Sequence, residues 1–112
     1  MKLPPLSSRD AAALDEFVRR VRARVGINAL NIKLFGSKAR GEAAPDSDLD
    51  VLIVVGDHRS ETEDVVLDMA FDVNLAYEVY ISPRVIEKAV FEHPVWRITP
   101  FVRALEQEGV PL

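Results

Sequence analysis

The sequence predicts an α/β fold in which a mixed sheet of three or more strands is covered by helices mainly on one face. Segments with the two-residue apolar period of a strand alternate along the chain with segments that have the three- and four-residue period of a helix. One strand segment, Leu49–Val55, is apolar apart from Asp50, as expected for a strand that is buried on both faces. The chain has 112 residues, of which 48% are hydrophobic, so residues 1–112 are expected to form a single domain around one core.

The first half of the chain predicts one helix and two strands. The helix covers about residues 10–25 and ends at Gly26. Its apolar residues form one stripe at helical spacing, namely Leu14, Phe17, Val18, Val21 and Val25. The first strand is predicted because the apolar positions Leu30, Ile32 and Leu34 alternate with other residues, and it runs up to Gly36. A polar segment, residues 37–47, separates it from the second strand, Leu49–Val55.

The second half predicts a second long helix and a third strand. Ser60 followed by Glu63 is the signature of a capping box, so the helix is expected to begin there. Its predicted buried stripe consists of Val66, Leu67, Ala70, Phe71 and Leu75. The third strand covers residues 78–81 and is expected to stop at Pro83, because proline cannot donate to the ladder.

The end of the chain predicts two further helices. A short one passes through Ile86 and Val90. Thr99 before Pro100 predicts the N-terminus of the last helix, since threonine caps well and proline suits the first helical position. Gly109 is expected to end that helix.

Composition excludes several classes of function. The net charge is -4 and the pI is about 5.1, which argues against a duplex nucleic-acid binder, and the aromatic content of 7% disfavours a single-strand binder. The absence of cysteine excludes thiolate metal sites and fits the cytoplasm. No signal peptide and no apolar run of about 20 residues is present, so no membrane association is expected.

The segment from Gly36 to Val51 carries the residues that predict chemistry. Gly36 permits a sharp turn from strand to helix, and Ser37 together with backbone N–H groups can face an anion there. Lys38 and Arg40 add positive charge beside this predicted phosphate site, and the planar guanidinium of Arg40 suits phosphate oxygens. A turn of this kind is common in proteins, so by itself it is weak evidence.

Asp48 and Asp50 lie two residues apart at the start of the second strand, which directs both carboxylates to one face. Two such carboxylates suit Mg²⁺, which often bridges protein and nucleotide phosphates. Taken alone, the pair is equally consistent with a solvated turn at a strand end. A calcium loop is excluded, because Val51 occupies the position where that loop requires glycine.

Taken together, Gly36-Ser37, ten intervening residues and Asp48-Leu49-Asp50-Val51 resemble the signature of the DNA polymerase beta nucleotidyltransferase superfamily, and in particular its minimal nucleotidyltransferases. The resemblance implies a small nucleotidyltransferase fold and transfer of a nucleotidyl group, AMP from ATP, to an acceptor hydroxyl. It implies that Gly36 and Ser37 hold phosphates and that Asp48 and Asp50 are catalytic and ligate Mg²⁺. ATP or another nucleoside triphosphate is the implied substrate.

Members of this family usually carry a third carboxylate on a later strand, and Tyr80 stands at the corresponding position. Glu78 lies on the same face of the predicted strand and is the candidate replacement as general base, although a solvent-facing glutamate is an equally good interpretation. His58 and His93 have no paired ligand at metal-site spacing, and Trp96 is better explained as a core or interface anchor.

The resemblance also implies a partner, since the chain offers no second domain that could present an acceptor. In similar proteins the partner is often a small helical protein of the HEPN class, and the two act as antitoxin and toxin. The competing function is a weak or inactive nucleotide-binding antitoxin that neutralises such a partner by contact alone. A homo-oligomer is a further expectation.

Overall fold

The computed structural model describes residues 6–41, 47–57 and 59–112, so His58 and residues 42–46 of the polar segment lie outside the described part. The elements in chain order are α1 (Ser8–Val25), β1 (Ala29–Phe35), α2 (Ser37–Arg40), β2 (Leu49–Val55), α3 (Ser60–Tyr77), β3 (Ile81–Glu87), α4 (Lys88–Phe91), α5 (Pro94–Arg97), α6 (Pro100–Glu108) and β4 (Val110–Pro111). A 3₁₀ turn, Gly26–Asn28, joins α1 to β1.

The four strands form one mixed sheet in the order β3-β2-β1-β4. β1 pairs antiparallel with β2 and with β4, whereas β3 runs parallel to β2. β2 is therefore an inner strand, and hydrophobic clusters bury its side chains on both faces of the sheet, which explains why its residues are apolar apart from Asp50. The predicted mixed α/β architecture is confirmed.

Two hydrophobic clusters lie on opposite faces of the sheet. On one face α1 and α3 cover the sheet, and Phe17 and Val66 pack with Val51 and Ile53 of β2. On the other face the smaller cluster contains Leu52, Val54, Ile86 and Leu105, with Phe35, Phe91, Trp96 and Phe101 packed against it. Because side chains alternate along a strand, Asp50 shares the second face with Leu52 and Val54.

The predicted first helix is confirmed and extended to Ser8, because the Ser7 hydroxyl accepts a hydrogen bond from the N–H of Asp10 and caps the helix. Gly26 ends it with a positive φ of 67°. In β1 the predicted alternation is wrong at Leu30, which is 51% exposed, because the register shifts between Ala29 and Asn31 and brings Ala29 inward instead.

The predicted start and buried face of α3 need correction. Ser60 is the first helical residue and Arg59 the N-cap, and no side chain caps the helix, so the capping box is wrong. The residues that α3 buries are Val66, Ala70 and Val73. Leu67, Phe71 and Leu75 are 46%, 52% and 69% exposed, so α3 is rotated relative to the predicted stripe.

The third strand was predicted too early in the chain. β3 begins at Ile81 and continues through Pro83 to Glu87, and Ile86 belongs to this strand rather than to the helix that follows. β3 is an edge strand, so one side of it has no neighbour that needs an N–H from proline. The strand therefore tolerates Pro83.

The last helix agrees with its predicted ends. The Thr99 hydroxyl accepts a hydrogen bond from the N–H of Val102 at 3.4 Å, Pro100 stands in the first turn, and the Gly109 N–H donates to the Leu105 carbonyl. None of the helices in the described part of the chain is long and apolar enough to cross a membrane.

Candidate functional site

The two aspartates lie where β1 ends and β2 begins. Asp50 pairs across the sheet with Phe35, the last residue of β1, so Gly36 follows immediately beside it. Asp48 precedes the strand by one residue and is exposed. The fold thus brings the predicted phosphate turn next to the predicted metal ligands.

Gly36 makes the closest approach to the carboxylates. Its φ is 78°, in the region that favours glycine, and a Cβ at this position would collide with Oδ2 of Asp50. Any other residue would push the turn away from the carboxylate. Ser37 begins α2 directly after this turn, as predicted, and its side chain forms no hydrogen bond within the described residues.

The electrostatics of Asp50 are those of a carboxylate that has no ion-pair partner among the described residues. Burial raises the pKa of Asp50, the neighbouring charge of Asp48 raises it further, and Arg84 opposes both effects. Neither aspartate forms an ion pair or accepts a side-chain hydrogen bond in the described segments. Both carboxylates are therefore available to a ligand.

The chemistry of this donor set fits Mg²⁺. Mg²⁺ is commonly held by one or two carboxylates together with water and substrate phosphate oxygens. Residues 6–41, 47–57 and 59–112 contain no group of three or more acidic, histidine or cysteine side chains arranged to hold a metal. Asp48 and Asp50 would thus supply only part of a coordination sphere, with room for phosphate oxygens.

The two predicted cationic residues occupy different environments. Nζ of Lys38 lies 2.7 Å from Oδ2 of Asp10, and the two side chains are only 8% and 9% exposed. This buried ion pair joins α2 to α1 and gives Lys38 a structural role, while its predicted phosphate contact stays a prediction. Arg40 is more accessible, and its Nη1 lies 3.1 Å from Oε2 of Glu108.

Glu78 does not share a strand face with Tyr80, because β3 begins only at Ile81. Glu78 is the C-cap of α3 and has a left-handed backbone, with φ 55° and ψ 50°. Tyr80 is 65% exposed, and its carbonyl accepts a hydrogen bond from the N–H of Leu49. Leu49 pairs with Ile81 in the parallel ladder, so the preceding residues, Asp48 and Tyr80, are neighbours. Tyr80 therefore lies beside Asp48, where the third carboxylate was expected.

Arg84 was not predicted as part of the site. In β3, Ser82 pairs with Asp50 and Arg84 pairs with Leu52, which places Arg84 on the face of the aspartates. The alternation of Ser82, Arg84 and Ile86 could have revealed it, had Pro83 not been taken as the end of the strand.

The remaining conspicuous residues have structural roles. Nδ1 of His93 accepts a hydrogen bond from the N–H of Val95 and caps α5. Trp96 packs edge-to-face on Phe101 in the second cluster, which agrees with its interpretation as a core anchor.

A cavity of about 510 Å³ lies at the opposite end of β2 from Asp50, and Arg24, Asn28 and Asp57 are among its lining residues.

The sequence matches the family model of the nucleotidyltransferase domain over residues 14–109. Two relatives are provisionally named protein adenylyltransferases of Methanocaldococcus jannaschii. The first is 34% identical over 77 residues, which is 66% of this chain and 52% of the relative, so this chain spans about half of that relative's length. The second is 35% identical over 98 residues, which is 87% of this chain and 91% of the relative.

Solved structures share the fold. One described as that of a minimal nucleotidyltransferase is 26% identical, has a TM-score of 0.54 and covers 94% of this chain and 90% of its own. A structure of the toxin–antitoxin MntA–HpeT, in a Y104A mutant form, is 16% identical, with a TM-score of 0.53 and coverage of 88% and 70%. With its characteristic turn against Asp50 and a match across most of its length, the chain belongs to the nucleotidyltransferase domain family.

Proposed function

We propose that this protein is a Mg²⁺-dependent nucleotidyltransferase that transfers AMP from ATP to a hydroxyl group of a partner protein in the cytoplasm, the compartment that supplies nucleoside triphosphates. The observation that carries the proposal is the contact between Gly36 and the Asp50 carboxylate, which joins a phosphate turn to a pair of metal ligands. The names of the two M. jannaschii relatives support adenylyl transfer to protein.

Each residue of the site has a distinct role in this proposal. Ser37 and the Gly36 turn hold the terminal phosphates, and Arg40 exchanges its exposed pairing with Glu108 for a phosphate contact. Asp48 and Asp50 would hold Mg²⁺, which when bound neutralises charge on the phosphate oxygens. The acceptor oxygen then bonds to the α-phosphorus, the bond to the β-phosphate bridge breaks, pyrophosphate leaves, and the hydroxyl proton passes to solvent.

The proton passes to solvent in this scheme because the described residues beside Asp48 and Asp50 include no evident base. The described residues group no third carboxylate with Asp48 and Asp50, and Tyr80 occupies the place beside Asp48. A positioned base commonly contributes about 10²- to 10⁴-fold to a rate. We therefore expect slow transfer unless the acceptor protein itself contributes a base.

The absence of a third carboxylate beside Asp48 and Asp50 among the described residues also favours a second candidate function. A chain that binds nucleotide but transfers slowly could neutralise a toxin by contact, as an antitoxin. The fold shared with the toxin–antitoxin MntA–HpeT is consistent with this candidate. We propose a small helical protein of the HEPN class as the partner in both cases.

The exposed stripe of Leu67, Phe71 and Leu75 on α3 is the surface that we propose for this partner. These residues are spaced four apart, so their side chains lie one above another on the helix. The acidic residues Asp64 and Asp68 border the stripe, and α3 contains no lysine or arginine. The apolar stripe and its acidic border therefore fit a partner helix in which apolar residues are flanked by basic ones.

Co-purification with the product of the neighbouring gene tests this surface. Phe71→Ser should reduce co-purification, and Asp68→Lys should reduce it through charge, while the exposed change Arg19→Ser on α1 should not. The competing occupant of this stripe is a second copy of the chain. Sedimentation of the chain alone would show that alternative as a dimer. Undiminished co-purification of both α3 variants would refute the proposed surface.

Nucleotide binding tests the proposed site itself. Mg²⁺ and ATP together should raise the melting temperature more than either alone, because the phosphates and carboxylates share the ion. Ser37→Ala should weaken this synergy, and Ser60→Ala at the start of α3 provides the matched control. Tight ATP binding that is indifferent to Mg²⁺ and to Ser37→Ala would place the phosphates elsewhere.

A further inference from the structure

We propose that Arg84 is a phosphate-binding residue of the nucleotide site, on the opposite side of Asp50 from the Gly36 turn. The inference rests on the proposed function and adds to it a contact from β3. It is carried by the position of Arg84, by the aromatic support of its guanidinium and by the lack of a carboxylate partner.

The position of Arg84 follows from the register of β3 against β2. Asp50 pairs with Ser82 in the parallel ladder, and the next pair on the same face is Leu52 with Arg84. Asp50 also pairs with Phe35 of β1, which leads into Gly36. Asp50 therefore lies between the Gly36 turn on one side and β3 on the other, and a phosphate group bound near Asp50 lies within the region that Arg84 borders.

Aromatic packing holds the guanidinium in place. Cζ of Arg84 lies 5.0 Å from the centroid of the Phe101 ring. Phe101 is itself fixed by edge-to-face contacts with Phe35 at 5.5 Å and with Trp96 at 5.8 Å. The guanidinium has five N–H donors, and contact with one ring leaves donors that can bind phosphate oxygens.

The charge of Arg84 is not neutralised within the described residues. Its side chain is exposed and forms no ion pair or hydrogen bond there. It lies close enough to Asp50 to act on that carboxylate through space, but it does not pair with it. A cation that lies near Asp50 and does not pair with it leaves space for a ligand that carries both a metal ion and an anion.

Arg84→Gln removes the charge, and Arg24→Gln at the far end of β2 is the matched control, with the same loss of charge. Two affinities are measured on each protein: that for ATP with Mg²⁺ by calorimetry, and that for Mn²⁺ alone by the paramagnetic resonance of the free ion. Arg84→Gln should weaken ATP binding by roughly 10-fold or more, since hydrogen bonds to charged groups are among the stronger ones. It should tighten Mn²⁺ binding, because a cation beside Asp50 is removed.

These opposite signs separate a phosphate contact from a structural role. Equal ATP affinity in Arg84→Gln and wild type overturns the inference, and so does a loss of both affinities, which would mean that Arg84 only maintains the fold around Asp50. Arg84→Lys should recover part of the ATP affinity. If ATP binding is lost in Ser37→Ala but retained in Arg84→Gln, this inference fails alone; if wild type binds no ATP, the proposed function fails with it.

Discussion

At Asp50 a carboxylate enters a strand that is otherwise apolar. Burial and Asp48 raise its pKa, so the folded protein binds this proton more tightly than the unfolded chain does. The stabilising contribution is complete below the ordinary pKa of 3.8 and is lost as the pH rises through the folded value. At neutral pH and without metal, the ionised Asp50 therefore destabilises the fold.

Asp50→Asn should accordingly raise the free energy of unfolding at pH 7 in the presence of a chelator. The gain should shrink as the pH is lowered towards 3.8, where the wild-type carboxyl becomes protonated. Urea unfolding across this pH range measures it, with the exposed Asp68→Asn as the control. A loss of stability at pH 7 would contradict the electrostatic account of the site.

Tyr80 and Glu78 give a second prediction at the residue scale. Tyr80→Asp would place a third carboxylate beside Asp48, and we expect it to raise the rate of nucleotidyl transfer by about 10-fold or more, because a base becomes available. Glu78→Gln should leave the rate unchanged, since Glu78 is the left-handed cap of α3. Tyr80→Asn controls for size. Faster transfer by Tyr80→Asn, or a rate that falls with Glu78→Gln, would show that the base is assigned wrongly.

Among the elements, α2 is joined to α1 by the buried ion pair of Lys38 and Asp10. Asp10→Asn removes the carboxylate that pairs with the buried Lys38 charge, which should cost up to about 3–5 kcal/mol of unfolding free energy. Breaking the half-exposed pair of Arg97 and Glu106 with Glu106→Gln should cost no more than about 1 kcal/mol. Chemical denaturation of both variants provides the comparison, and equal losses would mean that burial of the pair does not matter.

The sequence predicted some elements better than others for physical reasons. The prediction of β2 was correct, because a strand that is buried on both faces is apolar at nearly every position. β3 was misplaced because Pro83 breaks an inner strand but not an edge strand. In α3, two apolar stripes lie side by side, one through Val66 and one through Leu67, and periodicity alone could not tell which of them packs on the sheet.

Across the whole molecule, the part of the site that could be predicted is the part that is local in sequence. Gly36 and Asp50 belong to one motif, whose resemblance to the nucleotidyltransferase signature implied a shared site, and the antiparallel pairing of β1 with β2 brings them together. Arg84 reaches the same face through the parallel pairing of β3, whose local alternation Pro83 obscured, and its contact with Phe101 depends on the packing of α6, which no local pattern encodes. Lys38 lay within the motif, but its burial depends on Asp10 in another helix.

The central claim is tested most directly by a transfer assay. The protein is incubated with labelled ATP and the co-encoded partner, and the intact mass of the partner is then measured. Wild-type protein with Mg²⁺ should add one AMP mass to the partner, while Asp48→Asn and Asp50→Asn should abolish the addition without unfolding the protein, because they remove metal charge rather than core packing. A chelator should have the same effect. Full Mg²⁺-dependent transfer by both variants would contradict the assignment of these two carboxylates as the centre of the site.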